Sequence, residues 1–244
     1  MSESLAAVLF DMDGTLVDSE KLWTVGLHEL AARYGARLTE AARKAIVGTS
    51  TRETIVLVHA DVGHTGDIDA DAEWLDNRIL ELFAAGLDWQ PGARELLTAV
   101  REAGVLTGLV TNTGAALVEV ALRTIGRHNF DVVVTGDDVR HAKPHPEPYQ
   151  RAAASLGVPA ASCVAIEDSP AGVASAAAAG CRVLAVPREV PVSHPAAVIR
   201  PTLAGIDVAF LRRLVTGDEF GDAPGSVSGS GATAESKPVP GRVV

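Results

Sequence analysis

Short apolar runs recur along the chain, and each one after the first is preceded by a longer stretch in which apolar residues return every three or four positions. AAVLF ends at Phe10, LTGLV at Val110, VVVTG at Gly136, VAI at Ile166 and RVLAV at Val186. Runs this short, with polar residues only at their ends, read as strands buried on both faces. Their alternation with helical patterns predicts an α/β fold built on a doubly wound parallel sheet. The helices carry clear punctuation. Ser169 before Pro170 reads as an N-cap followed by proline at the first helical position, and AGVASAAAAG then stops at Gly180, as ALVEVALRTIG stops at Gly126.

One region breaks the alternation. Between the first and second strands lie roughly 90 residues, far more than a crossover requires. The stretch from about 20 to 88 contains helical patterns such as KLWTVGLHELAARYG and WLDNRILELFAAG but no convincing strand. It is read as an inserted α-helical cap spanning 17–88, with a core of 1–16 and 89–216, and joints near Leu16 to Ser19 and Leu87 to Gly92. From 217 to 244 the residues are mainly Gly, Ser, Ala and Pro, too poor in apolar surface to offset the entropy of ordering, so a flexible tail is expected.

Composition narrows the function classes. A formal net charge of -10 argues against a nucleic-acid partner, which needs a basic face. It does not argue against a small phosphorylated metabolite, because a metal ion and a lysine reverse the sign locally. The first residues lack the pattern of a signal peptide, and no run approaches the roughly 20 apolar residues of a membrane span, so a cytoplasmic protein without a membrane partner is expected. Two cysteines, Cys163 and Cys181, have no zinc-site spacing and read as small buried residues. The seven histidines, His28, His59, His64 and His145 among them, show no ligand spacing and are taken as structural or exposed.

The chemistry collects where strands end. FDMDGTLVDSE puts Asp11 and Asp13 after the first strand, with Gly14 for a sharp turn; Thr111 and Asn112 follow the second; Lys143 lies in a loop after the third; Glu167 and Asp168 end the fourth. In a parallel sheet these ends share one edge, where ligands bind. Acids, a hydroxyl and an ammonium converging there suit magnesium-dependent phosphoryl transfer. Asp11 and Asp168, with the Asp13 carbonyl, offer the hard oxygens Mg²⁺ takes. A carboxylate beside the metal can attack phosphorus, and the Asp13 side chain can pass the proton. Thr111, neighbouring amides and Lys143 can hold the phosphoryl oxygens.

With these motifs in order, the chain resembles a haloacid dehalogenase superfamily phosphatase with a helical cap. DMDGT (11–15), VTNTG (110–114), the lysine of KPHPEPY and IEDSPAG (166–172) match that family's four motifs across roughly residues 5 to 215. The resemblance implies Asp11 as nucleophile, Asp13 as general acid and base, Thr111, Asn112 and Lys143 as phosphate ligands, and Asp11, Asp13 and Asp168 around Mg²⁺. Glu167 either ligates the metal or stands behind the ligands. DSEKLW (18–23) is similar to the opening of sugar-phosphate and hexitol-phosphate phosphatases, and brings Glu20 and Trp23 forward as substrate residues of the cap. β-Phosphoglucomutase-like members generally have histidine where Trp23 stands. TSTRETI (49–55) offers Arg52 as a cap arginine for the substrate. The expected activity is hydrolysis of a small sugar or polyol phosphate by a monomer or weak homo-oligomer. A β-phosphoglucomutase-like mutase and a non-catalytic sugar-phosphate sensor are the alternatives.

Overall fold

The structure is a computed structural model that describes residues 4–217. The tail expected from 217 therefore lies, after its first residue, outside the described residues. Six strands form one sheet: β1 (Ala7–Phe10), β2 (Leu106–Val110), β3 (Val132–Val134), β4 (Cys163–Glu167), β5 (Arg182–Ala185) and β6 (Ala197–Ile199). Their spatial order is β3-β2-β1-β4-β5-β6, and every neighbouring pair is parallel. β1 sits centrally between β2 and β4, so its carboxyl end lies at the point where the order reverses. The sequence pattern shows five of these strands. It does not show β6, a three-residue edge strand whose residues are half-buried or exposed and so lack an apolar run.

Alternation along the strands divides the core. Val8 and Phe10 of β1 face the same apolar cluster as α5 (Ala93–Glu102), α6 (Ala115–Ile125) and α9 (Val208–Thr216). Ala7 and Leu9 face the other cluster, with α7 (Glu147–Leu156) and α8 (Pro170–Ala179). Side chains of successive strand residues point to opposite faces, so β1 has to be apolar throughout, and all four of its residues are fully buried.

Between β1 and α5 the chain forms four helices: α1 (Glu20–Arg33), α2 (Glu40–Ile46), α3 (Thr51–Val62) and α4 (Ile68–Ala84). α2, α3 and α4 each start with a side-chain N-cap. Ser50 and Glu53 form a capping box on α3, and the Asp67 side chain accepts from Asp69 N and Ala70 N at the start of α4. Leu30, Ile55, Val58, Leu75 and Ile79 are fully buried and continuous with the α5–α6 side of the core. The entering and leaving segments pair with one another: Asp18 N donates to Asp88 O at 2.8 Å, Gln90 N to Leu16 O at 2.9 Å, and Val17 bridges Trp89 in antiparallel sense. We propose 17–88 as the cap unit because its two ends meet at this joint. No helix among the described residues is long and apolar enough to cross a membrane.

Candidate active site

The parallel sheet brings the strand ends together as its topology requires. Asp11 follows β1 and its N–H donates to Ile166 O of β4 at 3.0 Å; Thr111 follows β2 and its N–H donates to Val134 O of β3 at 3.0 Å. Asp168 is the residue after β4. Gly14, with φ of 74°, lets the chain leave the Asp11–Asp13 turn and also leaves room for Asp168: a Cβ at Gly14 would lie 2.1 Å from Asp168 Oδ2.

Lys143 is buried at the centre. Its Nζ donates to Asp11 Oδ1 at 2.7 Å, Glu167 Oε1 at 2.6 Å and Val110 O at 2.9 Å. Burial works against its charge, but Asp11 and Glu167 outweigh that effect and hold its pKa above the ordinary lysine value. Asp11 is pushed up to about 7, first by burial and then by Glu167, with Lys143 opposing. Burial, then Asp11, Glu167 and Glu20, drive Asp168 well above the carboxylate range. Carboxylate oxygens of Asp11, Glu167 and Asp168 all lie within 4.8 Å of one another. Three buried carboxylates against one ammonium form a donor set of hard oxygens with excess negative charge, which fits a divalent cation such as Mg²⁺.

Glu167 stands behind the others. It is fully buried, and besides Lys143 it accepts from the Tyr149 hydroxyl at 2.6 Å and from Ser169 Oγ at 3.3 Å. Asp11, Asp13, Lys143 and Asp168 line the cavity under the cap, whereas Glu167 does not. The first turn of α8 packs directly on it, since a Cβ at Gly172 would come within 2.0 Å of its carboxyl group.

Asp13 is held from two sides. Oδ1 accepts from Ser19 Oγ at 2.5 Å and Trp23 Nε1 at 3.1 Å; Oδ2 accepts from Thr113 Oγ1 at 2.7 Å and, at 3.5 Å, from Thr111 Oγ1. Trp23, expected as a substrate residue, lines the cavity and also bonds Asp13. Its indole orients Asp13, while its ring packs edge-on against Phe83 at 6.4 Å. Asn112, expected as a phosphate ligand, lines the cavity and has its side chain engaged with backbone groups. Its Oδ1 accepts from Lys143 N at 2.9 Å, and its Nδ2 donates to Lys143 O at 3.2 Å and Gly48 O at 2.9 Å. The side chain thus fastens the lysine loop to the core and to the cap.

The cap side of the cavity contains Glu20, Trp23 and Arg43 together with threonines and the apolar Leu27, Ile46 and Val47. Arg52 is not brought there. It is exposed on α3 and pairs with Asp69 of α4. The arginine that reaches the cavity is Arg43 of α2, whose Nη1 donates to Glu189 Oε2 at 2.5 Å from the core side. Glu20 is pushed up to about 8, first by burial, then by Glu189, Asp13 and Asp18, with Arg43 opposing.

Sequence reasoning missed Ser19, Arg43, Thr113, Tyr149 and Glu189. Ser19 and Thr113 carried a usable signal: both lie inside motifs already recognised, and Thr113 stands two residues from Thr111, the spacing that returns a side chain to one side of an extended chain. Tyr149 ends KPHPEPY, where a buried phenol had no reason to be paired in advance with an acid of β4.

A family model for haloacid dehalogenase-like hydrolases matches residues 8–186. The chain is 34% identical over 197 residues to protein CbbY of Rhodobacter capsulatus, covering 76% of this chain and 86% of that protein. It is 30% identical over 220 residues to hexitol phosphatase B of Escherichia coli K12, covering 89% and 97%. Among solved structures, CbbY from Rhodobacter sphaeroides in complex with xylulose-(1,5)bisphosphate superimposes with a TM-score of 0.76 at 28% identity, covering 85% of this chain and 99% of that one. Together with the carboxylates gathered at the strand ends, these matches establish that the chain belongs to the haloacid dehalogenase-like hydrolases.

Proposed function

We propose that the protein is a phosphatase that hydrolyses a sugar or polyol monophosphate through a phosphorylated Asp11. The observation that supports this reading is the convergence of Asp11, Asp13, Thr111, Lys143 and Asp168 on one cavity beneath a helical cap. Similarity to hexitol phosphatase B and to a phosphorylated carbohydrates phosphatase of Thermotoga maritima, 32% identical over 177 residues, points to the same substrate class.

Asp11 attacks phosphorus, forming an Oδ–P bond as the bond from phosphorus to the sugar oxygen breaks, and Asp13 gives that oxygen a proton. A water then loses a proton to Asp13 and attacks the same phosphorus; the Asp11–phosphorus bond breaks, releasing inorganic phosphate and restoring both carboxyl groups. Lys143 and the Thr111 hydroxyl hold phosphoryl oxygens in position. Ser19, Trp23 and Thr113 keep Asp13 in one rotamer through both proton transfers. Asp11 and Asp168, with the Asp13 carbonyl, are the residues that would hold Mg²⁺, and Glu167 braces them from behind. When bound, that ion supplies positive charge against the phosphoryl oxygens.

The same cavity bears on the rest of the substrate. Arg43 and Lys143 are the cationic side chains among its described lining, and each is already paired with carboxylates. A second phosphate at the far end of a substrate would have to displace Glu189 from Arg43 and would meet Glu20. A neutral polyol end meets threonine hydroxyls instead. Monophosphates of neutral sugars or hexitols are therefore preferred to bisphosphates.

The test is phosphate release from hexitol monophosphates, aldose monophosphates and a ketose bisphosphate, with Mg²⁺ and with EDTA, for wild type and Asp11→Asn. Wild type should act on the monophosphates with Mg²⁺ alone, and Asp11→Asn, which keeps volume but loses the nucleophile, should show no turnover. Absence of release from every monoester, or turnover retained by Asp11→Asn, overturns the reading.

A further inference from the structure

The structure brings together histidines whose spacing along the chain gives no hint of a site. His59 lies on the last turn of α3, His64 just beyond it, and Asp71 one turn into α4. Gly63 ends α3 in a left-handed conformation, with φ of 68°, and the Asp67 cap starts α4, so the connection folds tightly enough for all three side chains to meet. His59 Nε2 lies 2.8 Å from Asp71 Oδ2, and potential ligand atoms of all three residues lie within 4.8 Å of one another. The His59 and Asp71 side chains are only 8% and 11% exposed.

A simple hydrogen bond between His59 and Asp71 accounts for two of these residues but leaves the surroundings unexplained. His64 stacks on Tyr34 of the α1 terminus with centroids 3.8 Å apart and 21° between planes, and meets His59 edge-on at 4.8 Å. Its ring lies over Gly66, where a Cβ would lie 2.1 Å from His64 Nε2. The Tyr34 hydroxyl is buried beside the Asp71 carboxyl group and adds an oxygen donor to the cluster. Burial pushes the Asp71 carboxyl up, but Tyr34, His59 and His64 more than offset this and keep it below the usual range, ready to act as an anionic ligand. Two imidazoles and a carboxylate are the donors of a borderline divalent cation, whereas Mg²⁺ prefers the all-oxygen set at the strand ends.

We propose that His59, His64 and Asp71 form a second metal site, within the cap, that takes Zn²⁺ or a similar borderline cation and clips α3 to α4. None of the three lines the catalytic cavity. Bound metal would stabilise the folded cap by mass action, since the unfolded chain offers no such arrangement.

The full-length protein without an affinity tag, stripped with EDTA and returned to excess Mg²⁺ so that the strand-end carboxylates are occupied, is titrated with Co²⁺ and then with Zn²⁺. His64→Gln and Asp71→Asn are treated alike. His64 makes no side-chain hydrogen bond among the described residues, so its replacement spares the fold even where Asp71→Asn disturbs it. Wild type should bind one equivalent of Co²⁺ with the intense visible absorption of a low-coordinate nitrogen-ligated ion, lose that absorption when Zn²⁺ displaces it, and melt at a higher temperature with Zn²⁺. His64→Gln should lose the absorption and the Zn²⁺-dependent rise in melting temperature. Absence of this equivalent in wild type, or His64→Gln binding Co²⁺ as wild type does, overturns the proposal.

Discussion

The floor of the cavity and its lid are built on different terms. On the floor, Asp11, Thr111 and Asp168 each follow a strand directly, so the register of a parallel sheet places them within reach of one another before any side chain packs. In the lid, position depends on how four helices rotate against each other. Two arginines nine residues apart, Arg43 and Arg52, end up respectively in the cavity and in solvent. Chemistry held by backbone topology can be read from motif order. Selectivity held by helix packing cannot.

Lys143→Ala strikes the floor hardest. It leaves Asp11 and Glu167 buried without their shared cation, a change that costs about 3–5 kcal/mol when one partner of a buried ionic group is removed. Activity should be lost and the denaturant midpoint should fall sharply. Near-normal stability would mean that water or protons replace the ammonium at little cost, and the floor would be less tightly specified than its geometry indicates. Trp23→Phe probes the seam between floor and lid, because the indole bonds Asp13 at 3.1 Å while its ring packs on Phe83. A hydrogen bond to a charged group is worth about 1.5–3 kcal/mol, and Ser19 and Thr113 remain, so roughly a tenfold loss in kcat is expected. The loss should be equal for hexitol phosphate and p-nitrophenyl phosphate. Loss confined to the sugar phosphate would return Trp23 to the lid.

The division between floor and lid also explains what was legible. Five strands, the helical insert and the residues of the four motifs follow from apolar runs and their order, because each depends on local pattern plus one rule about parallel strand ends. β6 is a short, partly exposed edge and has no run to detect. Glu189 pairs with Arg43 from 146 positions away, and Tyr149, in the first turn of α7, reaches Glu167 at the end of β4. Such pairs depend on tertiary distance, which a single sequence does not display. Asn112 lies within a recognised motif and lines the cavity, yet its side-chain hydrogen bonds fasten the lysine loop, so motif membership marks the neighbourhood of a site more securely than a residue's role in it.

Glu20→Gln tests the electrostatics of the lid. The folded pKa of about 8 exceeds the ordinary 4.5, so between those values the native state binds more protons than the unfolded state and stability falls as pH rises. Removing the ionisable group removes that slope. In EDTA, so that no cation shields the carboxylates, the melting temperature of Glu20→Gln minus that of wild type should grow from about pH 4.5 to about pH 8 and then level off. A difference that stays flat across this window would show that Glu20 titrates as an exposed acid, and that the cavity is wetter on the lid side than on the floor.

The smallest expected effect is the most discriminating for the lid. Arg52 is 64% exposed and its partner Asp69 76% exposed, so their pair is a surface contact of the kind worth about 0–1 kcal/mol. It does not line the cavity, whereas Arg43 does and is bound there by Glu189. Arg52→Ala should leave kcat/KM unchanged for hexitol phosphate, aldose phosphate, ketose bisphosphate and p-nitrophenyl phosphate alike. Arg43→Ala, measured beside it, should alter the ranking among the sugar substrates and spare p-nitrophenyl phosphate, which is too short to reach α2. If the two variants exchange these behaviours, α3 must turn toward the cavity when substrate binds, and the helical arrangement described here would be one of two positions of the lid. If neither changes the ranking, discrimination rests with the uncharged wall formed by Leu27, Ile46, Val47 and the threonines, and the arginine in the cavity serves to hold Glu189 and the cap in place.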